Sequence, residues 1–155
     1  MTEIEFGFTE LFDYVKVLLQ YLAGKNGKTS EEYFRFTVCD ADLPLFTELL
    51  EESMLWLSLF VRQFWGGSGV NANLITVCLN VDSVKKEQLP STEELGRMVR
   101  DILAFRIIYL WMRIAGWSDF SFWYDKALGL MSEFRRILTV SHGLRPRRSF
   151  PFGNF

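Results

Sequence analysis

The stretch from Thr92 to Ala115 constrains the fold more than any other part of the chain. Ser91 and Glu94 form a capping box, in which a hydroxyl and a carboxylate satisfy the first free amides of a helix. The spacing predicts a helix from there to about Gly116, and within it Ile102, Phe105, Ile107, Ile108, Tyr109, Trp111, Met112 and Ile114 cover most of the circumference. A helix that is apolar nearly all round must lie at the centre of a domain or be covered on its second side by another chain. In a small domain the central position is favoured.

The other elements read as walls around that helix. Thr9 is a candidate N-cap for a helix carrying Leu11, Val15, Leu18, Leu19 and Leu22 at spacings of three and four, with Gly24 as its stop. The turn-rich GKNGKTS follows, and Tyr33 to Cys39 alternates with period two, which predicts a strand. Asp40 or Asp42 is placed to cap a helix with Pro44 in its first turn, running to about Phe64. Its core face is Leu45, Leu49, Leu50, Met54, Leu57 and Val61, and Glu48, Glu51 and Glu52 line another face. GGSG reads as a flexible loop. Leu74 to Val81 is the clearest strand, with Ile75, Val77, Leu79 and Val81 on one face. Ser118 would cap a last helix to about Val140, with Gly143 as its stop. The expected fold is mainly α: a bundle of about four helices beside a small two-stranded antiparallel β element, with residues 1–143 as one domain and 144–155 as an extended C-terminal tail.

Composition narrows the functional class. A chain of 155 residues, 49% hydrophobic and 23% charged, has the makings of one folded domain rather than a disordered segment. Glu3 and Glu5 give the N-terminus the wrong charge for a signal peptide, and Arg106 and Arg113 interrupt the longest apolar run, which argues against a membrane span. Cys39 and Cys78 then read as reduced, buried thiols, though they would meet if their two strands paired. Fifteen Phe, five Trp and five Tyr exceed what a small core needs, so some rings are expected to face a partner. Residues 1–60 carry eleven acids and four bases, and residues 61–155 thirteen bases and eight acids. This is either scattered solvated charge or an acidic end and a basic end through which copies attract head to tail.

The sequence offers no catalytic or metal constellation, and no cofactor is expected. His142 is the single histidine, at a helix end beside Gly143 where its charge suits the dipole. Neither cysteine sits in a nucleophile motif, and Asp40 and Asp42 lack the rest of a calcium loop. GGSG lacks the Lys-Ser/Thr that completes a phosphate loop. An enzyme is therefore not expected.

The C-terminus is different in character. Arg135 and Arg136, then Arg145, Arg147 and Arg148, are followed by Phe150, Phe152 and Phe155. Disordered tails are poor in aromatics, so a basic, Phe-rich segment reads as one that docks into a neighbouring protein. Arg supplies forked contacts to carboxylates and Phe supplies apolar anchors. Nucleic-acid contact is the competing use of the same arginines, against an acidic overall balance.

Three stretches, LFTELLEESMLWL, ELGRMVRDILAFRIIYLWM and WYDKALGLMSEFRRIL, follow one another with a loop-and-strand excursion after the first and a basic, Pro-containing tail after the last. This arrangement, over roughly residues 43–148, resembles the small head–tail connector (adaptor, or head-completion) proteins of tailed bacteriophages; residues 1–39 are additional to that pattern. The resemblance implies a structural protein of the virion, assembled in the host cytoplasm. It implies a ring, typically of twelve copies, at the junction of portal and tail, in contact with the portal and with neighbouring tail proteins. It also implies contact with passing DNA, no catalytic residues, and docking through Arg145, Arg147, Arg148, Phe150, Phe152 and Phe155. The alternative from a different class is an intracellular adaptor or regulatory module that binds one partner.

Overall fold

The structure, a computed structural model, describes residues 2–25, 37–71, 73–81, 89–117 and 120–141. In chain order the elements are β1 (Thr2–Gly7), α1 (Phe8–Lys25), a 3-10 turn (Asp40–Asp42), α2 (Leu43–Phe60), a second 3-10 turn (Arg62–Phe64), β2 (Trp65–Asn71), β3 (Leu74–Leu79), α3 (Thr92–Ala115) and α4 (Phe120–Ser141). The protein is mainly helical, with a small antiparallel sheet, as the periodicities require.

The helix that is apolar all round takes the centre. α3 packs against α4, α2, α1 and β1. It buries Val99, Ile102, Leu103, Ile107, Ile108 and Met112 almost completely, and only Ile114 among its large apolar residues is well exposed. Its first turn is capped by the Ser91 hydroxyl, which accepts the Glu94 N–H at 3.3 Å. Its last turn closes on Gly116 at φ 82°, a left-handed position that favours glycine. The Gly116 N–H donates to the Arg113 carbonyl and the Trp117 N–H to the Met112 carbonyl, so two orphan acceptors are satisfied and Trp117 is turned back into the core. α4 contributes a single stripe, Trp123, Ala127, Met131, Phe134 and Leu138, spaced by three and four. α1 contributes Leu11, Phe12, Val15, Leu19 and Ala23. Phe12 and Phe8 meet Phe46 of α2 edge to face, at 5.0 and 5.6 Å between ring centres.

The sheet has three strands in the order β1-β3-β2, all antiparallel, rather than two. β3 is the predicted strand, shorter by two residues, and Ile75, Val77 and Leu79 point into the core. Its partners are not the predicted ones. Of the expected strand from Tyr33 to Cys39, residues 33–36 lie outside the described residues, and 37–39 are not paired in the sheet. There the Asp42 carboxylate accepts the Cys39 N–H at 2.9 Å while the Asp42 N–H donates to the Cys39 carbonyl at 2.9 Å. This local hydrogen bonding bends the chain into the turn that opens α2, in competition with a ladder. Thr37 and Val38 are buried there, Val38 against the core.

β2 corrects the reading of GGSG as a flexible loop. Trp65 pairs with Leu79 and Gly67 with Cys78, so Gly66 is the extra residue of a bulge. Gly67 stands at φ 129°, and a Cβ on Gly66 would lie 3.1 Å from the Cys78 carbonyl oxygen. The glycines permit the bulge and the close approach. α2 also ends sooner than predicted: Val61 leaves the helical region, and the 3-10 turn that follows drops Phe64 into the core.

A candidate interaction surface

α2 buries Phe46, Leu49, Leu50, Met54 and Leu57. Two further leucines on the same helix are left outside the core, Leu55 at 60% and Leu59 at 63% exposure. They lie one turn apart, and Glu48, Glu51 and Glu52 occupy the preceding turns of the same outer surface. Arg62 follows, exposed, in the 3-10 turn. The outer side of α2 therefore runs from acidic to apolar to basic along its length.

Beside it lies the open edge of the sheet. β2 is hydrogen-bonded to β3 on one side, and the sheet order leaves it at an edge. Its residues from Ser68 to Asn71 are exposed, and the strand WGGSGVN holds no charge and no proline. Native edges are usually blunted by such residues, and β1, at the other edge, presents Glu3 and Glu5 outward. Between α2 and β2 runs a groove of about 470 Å³ lined by Leu50, Glu51, Met54, Leu55, Trp65 and Val70 among others. A groove lined by both apolar side chains and the polar Glu51, Ser58 and Ser68, beside a strand with no second partner among the described residues, has the makings of a protein-binding surface.

The aromatic excess does not form this surface. Phe46, Phe64 and Phe134 are completely buried, and among the described aromatic residues only Tyr21 and Phe122 are more than half exposed. Most of the described rings are buried or half-buried, and apart from Trp65 the outward apolar patch is aliphatic. Several rings also hold cations: the Arg106 guanidinium lies 4.7 Å from the Trp56 ring centre, 5.1 Å from Tyr109 and 5.7 Å from Tyr124, joining α2, α3 and α4.

The residues singled out for chemistry are scattered. Cys39 is exposed and Cys78 half-buried, and both are free thiols, so neither is the fully buried residue expected. The Asp42 carboxylate serves the Cys39 amide, and Asp40 faces Lys16 at 3.7 Å. Arg100 bridges Glu10 at 3.0 Å and Asp101 at 3.1 Å, tying α1 to α3. Among the described residues no three His, Cys, Asp or Glu side chains are grouped to hold a metal ion, and no helix is long and apolar enough to cross a membrane. His142, Gly143 and the predicted docking residues Arg145, Arg147, Arg148, Phe150, Phe152 and Phe155 lie outside the described residues, as does Ser118.

Sequence reading does not mark the α2–β2 surface, because Leu55 and Leu59 sit among many apolar residues along α2. Their spacing of four, opposite Leu50, Met54 and Leu57, is the signal that separates them.

No protein-family model matches this chain, and no curated protein and no solved structure is significantly similar to it.

Proposed function

We propose that this protein is a structural assembly component without catalytic activity, which forms a ring of like copies at the head–tail junction of a tailed bacteriophage. The observation that carries the assembly reading is the α2–β2 surface, where two outward leucines, a groove of about 470 Å³ and a sheet edge unpaired among the described residues coincide. A surface of this kind is costly to leave in water and is accounted for if another protein covers it. The virion assignment is supported by the resemblance of the three quoted stretches. They fall in α2, α3 and α4, and the strands β2 and β3 form the excursion between the first two. The portal and adjoining tail proteins are the neighbours this reading names, and ring closure comes from lateral contacts between copies.

The test is the mass of the purified full chain across a range of concentrations, by native mass spectrometry and light scattering, with electron microscopy of the largest species. A closed oligomer with ring outline is expected. A monomer at every concentration contradicts the reading and leaves a one-to-one adaptor as the account.

A further inference from the structure

We infer that the groove between α2 and β2 receives residues 144–155 of a second copy, with residues 148–155 added as a strand along the edge of β2 that is unpaired among the described residues. The inference rests on the assembly reading above and deepens it by naming the occupant and the site.

Charge order is the first argument. The outer side of α2 presents Glu48, Glu51 and Glu52, then Leu55 and Leu59, and exposed Arg62 follows in the 3-10 turn. The tail reads Arg145, Arg147 and Arg148, then Phe150, Phe152 and Phe155. Laid along α2 in its own direction, the basic half of the tail passes the three carboxylates and the Phe-rich half passes the apolar part. In an extended segment Arg148 shares the face of Phe150 and Phe152. Arg forks suit carboxylates, and ring anchors suit the side chains of Leu55, Trp65 and Val70, which line the groove together with the polar Glu51, Ser58 and Ser68.

Backbone geometry is the second. In an extended segment Phe150 and Phe152 project from one face, and their N–H groups point to the same edge. Both amides can therefore face β2 while both rings face the groove. The nitrogen of Pro151 then points to the outer side, where its missing hydrogen costs nothing and closes the new edge to further pairing. β2 brings neither charge nor proline to oppose this pairing.

The direction of the chain selects a second copy over the chain's own tail. Arg135 of α4 lies 5.6 Å from the ring centre of Phe60, at the C-terminal end of α2. α4 is described as far as Ser141, less than two turns beyond that contact, so a tail of the same chain would approach from the Leu59 and Arg62 end of α2. A tail entering from its own α4 brings its arginines first to Leu59 and Arg62 and its rings toward the carboxylates, the wrong order. The tail of another copy, entering from the Glu48 end, runs in the right one.

Complementation between two full-length variants tests this. One carries Leu55→Lys and Val70→Lys, which spoils the groove and keeps the tail. The other carries Phe150→Asp and Phe152→Asp, which spoils the tail and keeps the groove. Leu55 and Val70 are exposed, so each chain should keep the melting temperature and circular dichroism of the wild type, and native mass spectrometry reads the rest. Each variant alone is expected as a single chain, and their mixture as a species of two chains, one of each kind. If both variants assemble like the wild type, the groove is not the site and the inference falls while the assembly reading stands. If the mixture gives only single chains, the tail serves its own molecule and the inference is overturned. If the wild type is itself a monomer, the inference and the assembly reading both fall.

Discussion

Arg106 and Trp56 meet face on, with the guanidinium carbon 4.7 Å from the centre of the indole. The Nε of Arg106 is buried and has no hydrogen-bond acceptor among the described residues, so three aromatic faces, not a carboxylate, receive this cation. A cation held in this way gains from the ring quadrupoles and from dispersion along its planar group. A double-mutant cycle of Arg106→Met with Trp56→Leu is expected to show a coupling of about 0.5–2 kcal/mol. Lysine at 106 should recover only part of it, because an ammonium cannot stack as a plane. A coupling of zero would mean the two groups are neighbours without interaction.

The central helix makes a second prediction. Trp111 is buried at 6% exposure and Ile114, one turn on, is 61% exposed. Trp111→Ala should cost ~3–5 kcal/mol in urea unfolding, the usual penalty for emptying a large core site. Ile114→Ser should stay within about 0.5 kcal/mol of the wild type. Equal effects at the two positions would contradict the packing of α3.

Leu57 and Leu59 provide the same contrast on α2. Leu57 has no exposure and Leu59 has 63%. Leu57→Ala is expected to lower stability by ~2–5 kcal/mol. Leu59→Ser should leave stability nearly unchanged and alter the oligomer distribution instead, since its leucine serves a surface. A large loss of stability on Leu59→Ser would place that residue in the core.

The bulge in β2 is testable at one glycine. Gly67 at φ 129° holds a backbone conformation that other residues adopt only under strain. Gly67→Ala should destabilise by about 1–3 kcal/mol although open space surrounds the site. A neutral effect would mean that the bulge relaxes to another register.

Much of this fold could be read from residue spacing, and the failures share a cause. The Ser91 cap, the stop at Gly116 and the alternation in β3 are local signals, and each appears where the sequence puts it, the cap through the Ser91 hydroxyl accepting the Glu94 N–H. The partners of β3 are not local. β1 is six residues with two inward apolar positions, Ile4 and Phe6, and its pairing with β3 joins segments some seventy positions apart. β2 is glycine-rich, and a bulge and a flexible loop look alike until the opposing strand is known. Near Thr37 to Cys39 the alternation was genuine, but hydrogen bonds between Asp42 and Cys39 turned the backbone away from a ladder. The interaction surface was harder still. It is made by two elements together, the outer side of α2 and the edge of β2, and the apolar excess of α2 concealed which leucines face out. Most of the described rings fill the core or hold cations, so the aromatic count does not by itself locate an interface.

The most direct measurement is native mass spectrometry of the full chain beside a chain ending at Gly143. The account predicts a closed oligomer for the full chain. The shortened chain should be a monomer with unchanged helical circular dichroism. A monodisperse monomer in both cases would contradict the claim that this protein works by assembling with its own copies.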